Sequence, residues 1–198
     1  TRLGNKGGQA ALYALPWYVI IGPPAAGKTT ALTQSNLGFI SPPGSGSSKV
    51  RGTAGTRNCD WWFTDEAVLL DTAGRYTTQD SDRAADRAAW LGFLDLLVRF
   101  RPRRPINGVL LALSVNDLLG APAPARLAHA AELRARIDEL QRHLGIRFPI
   151  YVLVTKTDLL AGFMEFFADY DKDERAQVWG TTFPYQDDST RDGPATRL

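Results

Sequence analysis

With 198 residues, 44% of them hydrophobic and 22% charged, the chain has an ordinary globular composition and enough length for one well-cored domain, with room for an appendage. A net charge of +2 gives no argument for nucleic acid as a partner, and a single cysteine, Cys59, excludes an internal disulfide and fits a reducing compartment. There is no signal peptide and no apolar run of the roughly 18 residues that a membrane span needs, so this piece is expected neither to cross a membrane nor to be exported.

Residues 1–16 read as a polar, glycine-bearing leader. Trp17-Tyr-Val-Ile-Ile21 has the length and apolar content of a strand, and Thr30-Ala-Leu-Thr-Gln-Ser opens a helix. Between them stands Gly22-Pro23-Pro24-Ala25-Ala26-Gly27-Lys28-Thr29, which fits G-x-x-x-x-G-K-[ST]. Strand, glycine loop and helix in that order are the context in which this pattern holds a phosphate chain. The glycines let successive N–H groups turn inward, and the helix adds the unpaired N–H groups and positive dipole end of its first turn, Thr30 included. Lys28 is expected to reach the β- and γ-phosphates and Thr29 to bind Mg²⁺.

Residues 41–57 form a Gly/Ser/Pro-rich loop without periodicity, and a loop that long beside a phosphate site is a candidate switch. Thr56 is the first choice, and Thr53 the second, for a hydroxyl that closes on the metal when the γ-phosphate is bound. Two strands follow, over 58–63 and 67–71. The Thr64-Asp65-Glu66 turn between them is tight enough to require antiparallel pairing. Trp61 and Trp62 must then point to opposite faces, one of them inward. The second strand ends in Asp71-Thr-Ala-Gly74, a D-x-x-G element. Asp71 is expected to hold a Mg²⁺-bound water and the Gly74 N–H to touch the γ-phosphate.

A helix is expected over 80–100 and a solvated turn at Arg101-Pro-Arg-Arg-Pro105, ahead of a doubly buried strand over 106–115. A long helix runs from the prolines at 122 and 124 to about Leu144, with Gly145 as its stop. Residues 149–155 read as another buried strand, residues 163–168 as a helix and residues 178–183 as a last short strand. Strands alternating with helices give an α/β fold with a mostly parallel sheet and one antiparallel edge pair.

At the carboxyl end of the 149–155 strand, where such sheets bind ligands, stands Thr155-Lys156-Thr157-Asp158, a [NT]-K-x-D element. Asp158 can accept from the ring N–H and exocyclic amine of guanine. Adenine offers neither donor there, and a buried carboxylate left unpaired costs about 1–3 kcal/mol. The Lys156 stem would lie along the base. Asp158 as a plain helix cap is the alternative.

In this order the three motifs resemble a Ras-type GTPase of the P-loop NTPase class, which implies a three-layer sandwich and a domain over 17–185, followed by a tail over 186–198. Residues 15–30, 55–79, 155–163 and 177–184 are, more narrowly, similar to the cytoplasmic NTPase domain of the IcmF/TssM family. That resemblance implies a piece of a longer inner-membrane component of the type VI secretion system, lying on the cytoplasmic face of the membrane, with TssL and TssJ in the same complex. The expected cofactors are Mg²⁺ and GTP, or ATP. One departure stands out: Ras-type enzymes carry a water-orienting Gln after D-x-x-G, and here Arg75 takes its place. Hydrolysis is therefore expected to be slow unless Gln79 or a partner orients the water, with Arg75 or Arg57 a candidate for stabilising phosphate charge. A module that binds nucleotide without turning it over is the rival expectation; a small-substrate kinase lacks any lid or acceptor signature.

Overall fold

The computed structural model describes residues 12–40, 59–78 and 82–184. Its centre is β1 (Trp17–Ile21), whose alternating side chains enter two different apolar layers. A five-stranded sheet forms around it in the order β2-β3-β1-β4-β5, with β2 over Cys59–Phe63, β3 over Val68–Thr72, β4 over Gly108–Ser114 and β5 over Ile150–Thr155. β1 pairs in parallel with β3 and β4, β4 pairs in parallel with β5, and only β2 against β3 is antiparallel, as the Thr64–Ala67 turn requires.

Two long helices cover one face. α3 (Arg83–Phe100) buries Trp90, Leu94 and Leu97 at four- and three-residue steps; α5 (Ala123–Leu144) buries Leu133, Leu140 and Leu144. These meet Val19, Ile21, Leu70 and Val109 in the main core, where each large side chain contributes about 1.5–3 kcal/mol. Asp82 caps α3 by accepting from the Ala85 N–H at 3.1 Å, and Gly145, at φ 63°, ends α5 in a left-handed turn. The other face holds a smaller layer of Ile20, Leu69, Trp62 and Leu32, the last from α1 (Lys28–Thr33). Trp62 is buried while Trp61 is half exposed, as alternation demands. The remaining short helices of this part are α2 (Arg75–Thr78) and α4 (Val115–Leu119).

The chain divides into two compact units, Thr1–Ala161 and Gly162–Leu198. The second carries α6 (Phe163–Phe166) and α7 (Lys172–Arg175), the latter closed by a reciprocal capping box between Asp171 and Glu174. Within it Phe163, Phe167 and Trp179 form an aromatic group, with Phe167 and Trp179 centroids 5.7 Å apart.

Three expectations need correcting. Residues 178–183 form no strand: Val178, Trp179 and Phe183 are exposed and pair with nothing in a ladder. β5 is an edge rather than a buried strand, and Ile150, Tyr151, Val152 and Val154 each keep more than a third of their surface in solvent. Arg101 is not part of a solvated turn. Its guanidinium is buried, lying over the rings of Tyr13 and Trp17 at 5.0 and 4.5 Å, while Arg103 and Arg104 stay outside.

Candidate functional site

The loop after β1 is built by close approaches. A side chain at Gly22, at φ 150°, would meet the Ala112 carbonyl oxygen at 2.5 Å, so only glycine lets β1 leave the sheet against β4. Gly27 holds the cap position of α1 at φ 80°, and no side chain caps that helix. Its first-turn N–H groups, those of Lys28, Thr29 and Thr30, have no intrahelical partner. Ala25 sits at φ 60°, a left-handed conformation that is strained for alanine.

Inside this loop lies the Lys28 ammonium. It donates to the Gly22 carbonyl at 2.8 Å and to the Pro23 carbonyl at 2.9 Å, and it is almost fully buried. Burial holds its pKa below the usual lysine range, with the Asp71 carboxylate pulling the other way. The Thr29 hydroxyl donates to Asp71 Oδ2 at 2.6 Å, across 42 residues of sequence. β1 and β3 put these groups side by side, because the register sets Ile20 against Asp71. Thr72 fixes that register with a buried bond to the Ile20 carbonyl at 2.6 Å.

Gly74 packs on the loop so closely that any side chain there would overlap the Pro23 and Pro24 backbone. Thr155, at the end of β5, donates to the Ala26 and Leu113 carbonyls at 2.7 and 3.1 Å, so the T-K-x-D element touches the loop after β1 directly. Lys156 follows at φ 58°. Asp158 is exposed and lies inside a single 3₁₀ turn (Thr157–Leu159) that Lys156, and not Asp158, caps. Arg75 pairs with the buried Asp86 of α3 at 2.9 Å.

The structure thus gathers Gly22, Pro23, Pro24, Ala25, Ala26, Gly27, Lys28, Thr29, Asp71, Gly74 and Thr155 around one loop. Thr53, Thr56, Arg57 and Gln79 lie outside the described residues. Sequence reasoning missed Thr77 of α2, a buried hydroxyl that bonds both backbone groups of Gly22; no motif marks it.

Among the described residues no group of three or more His, Cys, Asp or Glu side chains gathers as a metal site. His129 lies 3.9 Å from Glu132, and His143 is 2.7 Å from Asp95. A hard cation taking one hydroxyl and one carboxylate from the protein, and the rest of its shell from phosphate and water, matches the donors Thr29 and Asp71 supply. A surface hollow near the end of α5, lined by Asp138, Gln141, Arg142, Gly145, Ile146 and Arg147, contains none of the loop's residues.

Residues 83–197 match the model of the IcmF-related N-terminal domain. Over 183 residues, 92% of the chain, the sequence is 62% identical to the type VI secretion system component TssM1 of Pseudomonas aeruginosa strain PAO1, of which it spans 17%. Among solved structures, the signal recognition particle receptor SRb-GTP/SRX complex from Chaetomium thermophilum aligns at a TM-score of 0.45 and 21% identity. That alignment covers 74% of this chain and 72% of the other.

Proposed function

Because the chain belongs to the family of IcmF-related N-terminal domains, we propose that it is the nucleotide-binding part of a type VI secretion membrane component. In this reading it takes a Mg²⁺-bound purine nucleoside triphosphate, GTP in preference to ATP, and hydrolyses it slowly as a P-loop NTPase of Ras-like build. The observation that carries the reading is the meeting of Lys28, Thr29 and Asp71 around an uncapped loop at the carboxyl end of β1.

Each residue has a defined task. Lys28 turns from its two carbonyls to the β- and γ-phosphates, and the α1 amides receive the phosphate oxygens. Thr29 directly, and Asp71 through water, would hold Mg²⁺, which when bound supplies neutralisation of charge on the transferred phosphate. Thr155 holds Lys156 and Asp158 at the mouth of the loop, where Asp158 selects guanine. The exposed Asp158 must be enclosed by the base to select strongly, which makes ATP a real competitor.

A second reading is favoured by one observation: Arg75, in the water-orienting position, is engaged by Asp86. On that reading the domain binds nucleotide as a docking module without turnover. In either case its place is the cytoplasmic face of the inner membrane, among partners such as TssL and TssJ. No helix of the described residues is long and apolar enough to cross a membrane. Titrating GTP and ATP at fixed Mg²⁺, and measuring phosphate release for the wild type and Lys28→Ala, decides among these. Lys28-dependent release supports the first reading, tight binding without release the second, and no uptake of either nucleotide overturns both.

A further inference from the structure

The hydroxyl of Thr77 is buried against the first residue of the loop. It accepts from the Gly22 N–H at 3.2 Å and donates to the Gly22 carbonyl at 3.1 Å, so both backbone groups of Gly22 end on one side chain. That carbonyl is also one of the two that hold Lys28. Three residues upstream, Gly74 lies against the Pro23 and Pro24 backbone with no space for a side chain. On its far side, α2 is anchored by the buried Tyr76, whose ring lies 5.9 Å from that of Trp90. The segment after D-x-x-G is therefore shut on the loop at two adjacent points, Gly74 on Pro23–Pro24 and Thr77 on Gly22.

We propose that Thr77 is a positioning residue that sets the loop's preference between nucleoside tri- and diphosphates. The inference rests on the reading of this loop as a phosphate site. A diphosphate needs the loop amides and Lys28. On this proposal a third phosphate also reaches for the Gly74 N–H, on a residue packed against the Pro23–Pro24 backbone. Drawing Gly74 to that phosphate moves α2 on the loop and breaks both Thr77–Gly22 bonds. The latch thus opposes the triphosphate and leaves the diphosphate untouched; it is a coupling between ligand length and the placement of α2.

The test uses the whole chain with Thr77→Val, which keeps the shape and removes the hydroxyl, and Thr77→Ser, which keeps the hydroxyl. Affinities are measured with Mg²⁺ for a nucleoside diphosphate and for a non-hydrolysable triphosphate of the same base. Thr77→Val is expected to raise the triphosphate-to-diphosphate affinity ratio roughly tenfold, the size of two neutral hydrogen bonds lost from the closed form alone. Thr77→Ser is expected to stay within about twofold of the wild type. A ratio unchanged in Thr77→Val overturns the proposal, even if both affinities fall together.

Amide exchange on the wild type gives a second readout that needs no variant. Triphosphate should speed exchange at the amides of residues 76–78, and diphosphate should not. Equal protection by the two ligands also overturns it. Failure of the wild type to take up either nucleotide instead removes the phosphate site itself, and this inference with it.

Discussion

The indole N–H of Trp90 donates to the Glu139 carboxylate at 3.0 Å, fastening α3 to α5 on the covered face of the sheet. Glu139 accepts from Arg136 at 2.6 Å as well and lies 3.6 Å from Arg87, so one carboxylate serves three donors. Glu139→Ala leaves a buried indole and a nearly buried guanidinium without their acceptor. The expected cost is about 2–3 kcal/mol in urea denaturation. A loss below about 0.5 kcal/mol, the range of ordinary surface changes, would contradict it.

If the Thr29–Asp71 pair holds the cation of the proposed site, nucleotide binding is expected to depend on metal. Chelating Mg²⁺ with EDTA should weaken triphosphate binding by the wild type roughly tenfold or more, and Asp71→Ala should bind as weakly with the metal as without it. Fluorescence titration with a labelled triphosphate, with and without EDTA, checks both. An Asp71→Ala variant that still responds to Mg²⁺ would place the cation elsewhere.

Cys59 and Lys28 make opposite contributions to stability at high pH. Burial, then the Asp71 and Asp60 carboxylates, push the Cys59 thiol from its ordinary 9.0 up to about 12. Between those values the folded chain keeps a proton that the unfolded chain has lost, so this group's contribution falls as pH rises; Cys59→Ala should remove that fall. Lys28 is displaced the other way. Burial lowers its pKa below 10.5, so the folded chain releases its proton first, and stability rises from the folded value up to 10.5. Lys28→Met should abolish that rise in a series of urea melts across alkaline pH. At pH 8 the Cys59 thiol should also react far more slowly with iodoacetamide in the folded chain than in urea.

Ala25 holds the left-handed conformation in the middle of the loop. Ala25→Gly removes the steric penalty and should stabilise the chain by up to about 1 kcal/mol, less what glycine adds to the freedom of the unfolded chain. A thermal melt measures the difference, and a clear loss of stability would mean the loop does not adopt this turn in solution.

What could be read from the sequence was whatever a short stretch dictates by itself. The loop's glycine spacing, the antiparallel pair forced by a tight turn, and the stepped apolar positions of α3 and α5 are local patterns, and the structure repeats them. Apart from the Thr29–Asp71 pair, which two motifs mark, relationships between distant stretches were not legible. Arg75 meets Asp86 only because α2 turns back on the start of α3, and Thr77 meets Gly22 across 55 residues. Residues 178–183 show the other failure. Val178, Trp179 and Phe183 favour an extended backbone, but a strand exists only beside a neighbour, and propensity names none. Burial of β5 was misjudged for the same reason: an apolar run suggests a covered strand, whereas position in the sheet order decides it.

The ammonium resting on the Gly22 and Pro23 carbonyls makes this protein its own first guest. On the proposed reading, a phosphate chain draws that cation away from two charged hydrogen bonds, each worth about 1.5–3 kcal/mol, so its own contact with Lys28 has to make up for them. A small anion that reaches few of the loop amides would then gain less from Lys28 than a polyphosphate chain held along its length.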